Sequence, residues 1–201
     1  MKTKIFLTLP LATLALAACS TMDDGMDDGM SSNTTMASSD IVVQVGGADM
    51  FANRTIVQNA VNSPIHTTLV KAVQAAGLVD TLSGTGPFTV FAPTDAAFGK
   101  VPAATVNSLM QPENKAALSK VLTYHVVPGR ITAADVASRI RAGGGTATYT
   151  TVEGEPLTFS MMGSRVMIRS MGGSMAHVTQ ADVMQSNGVI HVVDGVLLPS
   201  M

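Results

Sequence analysis

Methionine is the residue type whose number and spacing most strongly suggest chemistry in this sequence. The chain of 201 residues contains 14 Met, a single Cys and no Trp. Met22, Met26 and Met30 lie four residues apart, and a second group falls between residues 161 and 184 (Met161, Met162, Met167, Met171, Met175 and Met184). A thioether is a soft ligand that suits Cu(I), and Met also fills core gaps or adaptable binding surfaces. The second group therefore leaves three interpretations open: local substitution of Met for Leu, an exposed apolar binding surface, or a copper site.

The four histidines, His66, His125, His177 and His191, do not have the spacing of metal ligands on one helix or strand. We therefore expect no histidine-based metal site and no cofactor. The sequence also contains no Gly-x-Ser-x-Gly elbow and no pattern of paired carboxylates. These observations favour a protein that is not an enzyme.

The only Cys of the chain, Cys19, follows an apolar N-terminal segment. Two lysines precede an apolar run over residues 5–18, which is the pattern of a secretory signal peptide and is short of the roughly 20 residues of a membrane span. The run ends in Leu16-Ala17-Ala18-Cys19, which resembles the bacterial lipobox. We therefore predict a lipoprotein signal peptide over residues 1–18 and lipidation of Cys19. Ser20 at the next position implies, by the same resemblance, the outer membrane.

Residues 19–39 carry this Cys and a linker that cannot build a core. Met-Asp-Asp-Gly occurs twice in tandem, at residues 22–25 and 26–29, and small polar residues dominate the rest. A flexible coil of about 20 residues spans roughly 25 Å, enough to hold a domain clear of lipid headgroups. The linker methionines are either a product of repeat slippage or part of a Cu(I) site.

Charge separates this linker from the domain that follows it. The whole chain has 12 basic and 14 acidic residues. Residues 40–201 contain ten basic and ten acidic residues, because two of the lysines lie in the predicted signal peptide and four Asp lie in the linker. A neutral domain offers no electrostatic basis for binding nucleic acid. We expect no nucleic-acid partner, and contact with the membrane through the lipid anchor only.

Helical patterns come first in this domain and short strands follow. Two helices are predicted between residues 55 and 77, with Gly77 as a C-cap, before a strand at residues 87–92. Thr94 or Asp95 is predicted to cap the helical turn after that strand. Further helices are predicted over residues 102–110 and 112–121, and residues 132–135 resemble a capping box that opens one more helix, ended by Gly143. The predicted strands are residues 122–127, 147–152, 156–160, 165–169, 177–180, 189–193 and 196–198. This order indicates an α+β fold.

Three segments carry a family resemblance. They are residues 89–98 (TVFAPTDAAF), residues 124–129 (YHVVPG) and residues 187–199 (NGVIHVVDGVLLP). In type and order they resemble the first conserved block, the Tyr-His motif and the second conserved block of fasciclin (FAS1) domains. The resemblance covers residues 55–199 and implies an α+β FAS1 fold over residues 40–201, a wedge of two β-sheets packed with several α-helices. The variant resembles the single-domain secreted or lipoprotein form of bacteria.

The resemblance also implies a function. It indicates a non-catalytic binding module for cell adhesion or extracellular matrix interaction, anchored by lipid to the bacterial outer membrane or held at the cell surface or in the periplasm. The implied partner is an unknown protein or polysaccharide of the cell surface or matrix, and self-association is left open. A copper-binding protein of the periplasm or cell surface is the alternative, and an enzyme acting on envelope polymers ranks third.

Site residues follow from the same resemblance. The segment around the Tyr-His pair is linked to receptor binding in animal members of the family, which marks Tyr124 and His125 as candidate binding residues. Thr94, Asp95 and His191 belong to the fold motif.

The residues themselves favour structural roles for the histidines. His125 stands between apolar neighbours in a predicted strand, with its side chain opposite to that of Tyr124. The simpler interpretation is a buried His that bonds to a backbone carbonyl. His191 shows the same pattern, whereas His66 is expected near a helix start and exposed.

Overall fold

The computed structural model describes residues 42–200, and these begin with a two-stranded hairpin. Strand β1 (Val42–Val45) pairs antiparallel with β2 (Ala48–Phe51) across Gly46 and Gly47. Both glycines have positive φ angles, 59° and 86°, which suit the two-residue turn of a hairpin. The sequence analysis did not predict this hairpin, because its strands are short and VVQV shows no regular alternation of polar and apolar residues.

Helices fill most of the chain between this hairpin and residue 142. The α-helices are α1 (Ile56–Val61), α2 (Thr67–Ala76), α3 (Val79–Ser83), α4 (Asp95–Gly99), α5 (Ala103–Leu109), α6 (Lys115–Tyr124) and α7 (Ala133–Ala142), and a 3₁₀ turn covers Pro112–Asn114. Thr55 and Thr132 each form a capping box with the residue three positions on. The two helices predicted between residues 55 and 77 and the capping box at Thr132 are thus confirmed. No helix between residues 42 and 200 is both long and apolar enough to cross a bilayer.

The remaining strands form one seven-stranded sheet. They are β3 (Phe88–Pro93), β4 (Val126–Pro128), β5 (Thr146–Thr150), β6 (Pro156–Met162), β7 (Arg165–Arg169), β8 (Met175–Gln185) and β9 (Gly188–Val193). Their order is β4-β3-β9-β8-β7-β6-β5. Strands β3 and β9 are parallel, and the other neighbours are antiparallel.

Strand β8 joins the two halves of this sheet. Its residues 175–177 pair with β7, and residues 178–185 pair with β9 through two register shifts. Asp182, inside the irregular part, has a φ of 58°, which is rare for a residue other than Gly. Register shifts of this kind are bulges, which bend a strand. The bent β8 takes part in both the β4-β3-β9 half and the β7-β6-β5 half, and these halves are the two sheets of the predicted wedge. The N–H of Val152 donates to the carbonyl oxygen of Val126 at 2.8 Å, so the sheet is nearly closed.

The apolar core has a helical part and an aromatic part. In the helical part, buried residues of α1, α2, α3 and α6 pack on β3 and β9. The aromatic part is centred on Phe91 and Phe159, whose ring centroids lie 5.3 Å apart. Helix α6 contributes to both parts, with Leu122 in the first and Tyr124 in the second. The predicted α+β fold is confirmed.

One predicted strand, residues 122–127, is correct only at its end, and another, residues 196–198, is wrong. Residues 122–124 continue α6, His125 forms its C-cap, and the strand begins only at Val126. Leu118 and Leu122 lie on the buried face of this helix, and their packing outweighs the strand preference of the residues that follow. Residues 196–198 form no strand; their apolar side chains pack as an irregular segment.

Candidate functional site

The predicted signal peptide, the lipidated Cys19 and the linker fall on residues 1–39. These residues lie outside the part of the chain that the structure describes, so lipidation remains a prediction from the sequence. The other predicted site residues, Thr94, Asp95, Tyr124, His125 and His191, are all described.

His125 lies at the junction between α6 and β4, where it is almost fully buried. Its Nδ1 lies 2.7 Å from the carbonyl oxygen of Val121, one helical turn earlier, and its Nε2 accepts a hydrogen bond from the N–H of Leu197 at 2.9 Å. Because a carbonyl oxygen can only accept, Nδ1 carries the proton and the ring is neutral. Burial lowers the pKa of His125 from 6.5 to about 4, although the bond to Val121 opposes this shift. The imidazole therefore bridges two segments of the chain.

Tyr124 points into the aromatic core instead of toward solvent. Its hydroxyl donates to the carbonyl oxygen of Pro156 at 3.1 Å and accepts a hydrogen bond from the N–H of Met171 at 3.0 Å. Burial raises the pKa of this phenol, and the Met171 N–H opposes the rise. The hydrogen bonds of Tyr124 and His125 are thus made within the protein, and a binding role for this pair stays a prediction.

His191 repeats the arrangement of His125 on strand β9, which β3 separates from β4. Its Nε2 lies 2.8 Å from the carbonyl oxygen of Ile131, and its Nδ1 accepts a hydrogen bond from the N–H of Asp182 at 3.3 Å. The ring stacks on Phe91 with centroids 5.5 Å apart. Burial lowers the pKa of His191, opposed by Ile131 and Asp182. The proton lies on Nε2 here, so the two histidines use opposite tautomers for the same kind of bridge.

Thr94 and Asp95 cap two different helices. The Thr94 hydroxyl accepts from the N–H of Ala97 and caps α4. The Asp95 carboxylate instead accepts from the N–H groups of Thr67 and Thr68, at 3.2 and 2.8 Å, and from the Thr67 hydroxyl. Partial burial would raise the pKa of Asp95, but these hydrogen bonds outweigh it and lower the pKa. The motif thereby connects β3, α4 and the start of α2.

The prediction that His66 is exposed is wrong. It is 2% exposed at the N-terminus of α2, and the Ser63 hydroxyl lies 2.7 Å from its Nδ1. Burial lowers the pKa of His66, opposed by the Asp95 carboxylate and the Ala92 carbonyl. Pro64 signals a turn in the sequence, and turns are usually exposed. Pro64 is indeed exposed, but the side chains of Ser63 and His66 are buried.

Asn187 is a structural residue that the sequence analysis names only as the first residue of the segment 187–199. The turn is Ser186-Asn187, and β9 already begins at Gly188. The Asn187 side chain is buried, accepts from the N–H of Ile56 at 3.0 Å, and donates to the carbonyls of Leu82 and Gly84 at 2.8 and 3.0 Å. One amide thus ties α1 and the end of α3 to the β8–β9 turn. An Asn-Gly pair does not reveal such long-range partners.

An apolar cavity of about 140 Å³ lies between α1, α2, α3 and the sheet. Aliphatic side chains such as Ile56, Val73 and Leu82 line it, and Gln74 and His125 are the polar residues of its wall. A cavity of this size and composition can hold a small uncharged apolar molecule. Both ring nitrogens of His125 are already hydrogen-bonded to backbone groups, so they are not available to a ligand in the cavity.

The second methionine group is divided between exposed and partly buried positions. Met161, Met162, Met171 and Met175 are exposed, whereas Met167 and Met184 are partly buried. Substitution of Met for Leu in a core therefore does not describe the whole group. No cluster of three or more His, Cys, Asp or Glu suited to a metal ion occurs within residues 42–200.

Comparisons with known proteins agree with this architecture. Residues 64–199 match the family model of the Fasciclin domain. Protein sll1483 of Synechocystis sp. is 51% identical over 147 residues, which cover 73% of this chain and 74% of that protein. Cell surface glycolipoprotein MPB83 of Mycobacterium bovis is 35% identical over 159 residues, covering 77% of this chain and 64% of that protein.

A solved structure shows the same fold at lower identity. The FAS1 domain pair of the insect cell adhesion molecule Fasciclin I superposes with a TM-score of 0.65 at 21% identity, covering 72% of this chain and 51% of that chain. The chain described here therefore belongs to the fasciclin (FAS1) domain family, as its three sequence motifs indicate. The family that matches consists of non-enzymatic, adhesion-type domains.

Proposed function

We propose that this protein is a lipid-anchored adhesion module of the cell envelope, which binds a protein or polysaccharide of the cell surface or matrix without catalysis. The observation that carries the proposal is a fasciclin domain over residues 64–199 behind an N-terminal segment that ends in a lipobox-like Cys19. The relatives support an exported protein, since MPB83 is described as a cell surface glycolipoprotein.

Lipid anchoring supplies attachment without a membrane span. Each buried methylene of a lipid chain contributes about 0.8 kcal/mol, and stable anchoring takes two or more such signals. The linker over residues 20–39 then separates the domain from the bilayer by roughly 25 Å. Its four Asp residues favour that separation, because they repel an anionic surface.

The internal hydrogen bonds of Tyr124 and His125 bear on how such a module would bind. Both side chains hold α6 and β4 in place, while Pro128 and Arg130, just beyond them, are exposed. We therefore assign Tyr124 and His125 the role of positioning this segment. A partner would contact the segment through Pro128 and Arg130.

The anchor is tested by membrane fractionation and detergent partition of the wild-type protein and Cys19→Ala. We expect the wild type in the detergent phase and Cys19→Ala in the aqueous phase. Ser20→Ala is the matched control, since it leaves the Cys in place and should partition like the wild type. Equal partition of the wild type and Cys19→Ala would show that no lipid is attached there.

Adhesion is tested by retention of cells on a matrix-coated surface and by aggregation of cells with one another. Cells that lack the protein should lose retention, and the wild-type gene should restore it. Arg130→Glu should restore it poorly while the protein remains folded and anchored. If cells without the protein adhere and aggregate as the wild type does, the adhesive role is excluded.

A further inference from the structure

The outer face of strands β7 and β8 brings together two methionines and a histidine. Ile168 and Ala176 are paired and fully buried, so they point into the core. Side chains alternate along a strand, and Met167, Met175 and His177 therefore lie on the opposite, solvent-facing side. These residues are ten positions apart in sequence at most, but only the pairing of β7 with β8 makes them neighbours.

The strand register places the three side chains within reach of one point. Met167 is directly opposite His177 in the ladder, and Cβ atoms of such a pair lie roughly 5 Å apart. Met175 precedes His177 by two residues on the same face and is the diagonal neighbour of Met167, at roughly 7 to 8 Å. Met has three rotatable bonds, which lets both sulfur atoms turn toward the imidazole.

Asp194 orients the imidazole for a ligand role. One oxygen of its carboxylate lies 3.4 Å from Nδ1 of His177, and the other accepts the backbone N–H of His177 at 2.7 Å. With Nδ1 facing this carboxylate, Nε2 is the nitrogen that remains to bind a metal. A carboxylate behind a ligating His fixes the ring and raises its basicity, which is a common arrangement in metal sites.

The surroundings select the kind of ion. Met175 is 53% exposed and the His177 side chain is 32% exposed, so an ion can reach both. The Asp194 carboxylate is already paired with Lys100 at 3.5 Å, and the Arg169 guanidinium lies 3.8 Å from the Met175 sulfur. Two thioethers and one imidazole are a soft, uncharged donor set, which suits Cu(I) and disfavours Ca²⁺ or Mg²⁺. The neighbouring cations repel a doubly charged ion more strongly than the singly charged Cu(I).

We propose that Met167, Met175 and His177 form a surface site for Cu(I), with Asp194 as the residue that positions the imidazole. The Arg169 side chain turns away from Met175 when the ion binds. The site is built entirely within the described domain and does not require the methionines of the linker. Ion binding involves no change of oxidation state, so the site would hold or pass on Cu(I) at the cell envelope.

The test is an anaerobic titration of the full chain with Cu(I) in competition with a chromogenic Cu(I) chelator. All proteins carry Cys19→Ala, so that no thiol competes for the ion. Met167→Leu, Met175→Leu and His177→Ala should each weaken Cu(I) binding at least tenfold. Met161→Leu is the matched control, because Met161 is 42% exposed on the same sheet but on the other face of β6, and it should change the affinity less than twofold.

Two further arms separate this site from other sources of binding. The triple variant Met22→Leu, Met26→Leu, Met30→Leu should retain the high-affinity ion, and X-ray absorption of the Cu(I) complex should show two sulfur and one nitrogen neighbours. Loss of the nitrogen neighbour in His177→Ala would support the proposed site. The proposal is overturned if the linker variant abolishes binding, or if the three site variants bind like Met161→Leu.

Discussion

His125 and Leu197 are joined by a hydrogen bond of 2.9 Å from the backbone N–H of Leu197 to Nε2 of the imidazole. The same ring donates from Nδ1 to the Val121 carbonyl, so the end of α6 and the C-terminal segment share one side chain. A protonated ring could not accept the hydrogen bond from Leu197. The contact therefore requires the neutral imidazole and makes this part of the fold sensitive to acid.

We predict that the stability of the protein falls as the pH is lowered from about 6.5 to about 4. The pKa of His125 in the folded state is about 4, below its ordinary value of 6.5, so the unfolded chain binds more protons in this interval. The loss from His125 amounts to about 3 kcal/mol, and it levels off below pH 4. The pKa values of His66 and His191 are also lowered in the folded state, so these two residues further reduce the stability as the pH falls.

Denaturant unfolding at a series of pH values measures this dependence. His125→Gln removes one titrating group and should reduce the slope by at most about 1.4 kcal/mol per pH unit, although the variant is less stable at pH 7. An unchanged slope in His125→Gln would show that the ring is not held neutral in the folded state.

We predict that Tyr124→Phe lowers the free energy of unfolding by about 1 to 2 kcal/mol. The substitution keeps the aromatic packing but leaves the Pro156 carbonyl and the Met171 N–H without their partner. Tyr149→Phe is the control, because Tyr149 is also a buried ring of this core. Thermal or chemical unfolding measures the loss of stability in both variants. An equal loss in Tyr124→Phe and Tyr149→Phe would contradict a specific role for the Tyr124 hydroxyl.

We predict that Asn187→Ala destabilises the protein by about 3 kcal/mol or more. The buried N–H of Ile56, the buried carbonyl of Leu82 and the partly buried carbonyl of Gly84 lose their partner together. Asn107→Ala, on the exposed face of α5, should stay within about 0.5 kcal/mol of the wild type. Chemical unfolding at pH 7 compares the two. A small effect at Asn187 would mean that water replaces the amide.

We predict that Asp95→Ala lowers the free energy of unfolding by about 1 kcal/mol, the usual cost of losing a helix cap. The carboxylate holds the first N–H groups of α2, and its pKa in the folded state is below the ordinary value of 3.8. The stabilisation by the Asp95 carboxylate is therefore fully present above pH 3.8, and it is lost as the pH falls through the lower pKa of the folded state. Asp80→Ala is the control, and the difference between the two variants should shrink in strong acid.

Much of this fold can be predicted from local patterns. The capping box at Thr132, the Gly77 that ends α2 and the apolar run of β9 all express short-range rules, and the structure confirms them. The end of α6 could not be predicted in this way. Tyr124 and His125 have the composition of a strand. The buried face of α6 and the partners Pro156 and Leu197, which are distant in sequence, favour the helix end that the structure shows.

The proposed Cu(I) site could not be predicted from local sequence patterns either. The abundance of Met suggests a soft metal or an apolar surface, but spacing alone pairs no methionine with a histidine. Met167 meets His177 only through the β7–β8 register, and Asp194 joins them only through the end of β9. Cross-strand neighbours depend on register, which one sequence does not specify where both faces of a strand carry apolar residues.

The N-terminal hairpin has a mechanical consequence under the anchoring that we propose. Strand β1 pairs only with β2 among the described strands, and Val42 and Phe51 lie side by side at the open end of the hairpin. Tension applied at Val42 would load these hydrogen bonds one after another. Releasing residues 42–51 would add roughly 30 Å of extended chain while the parallel β3–β9 pair at the centre of the sheet stays intact.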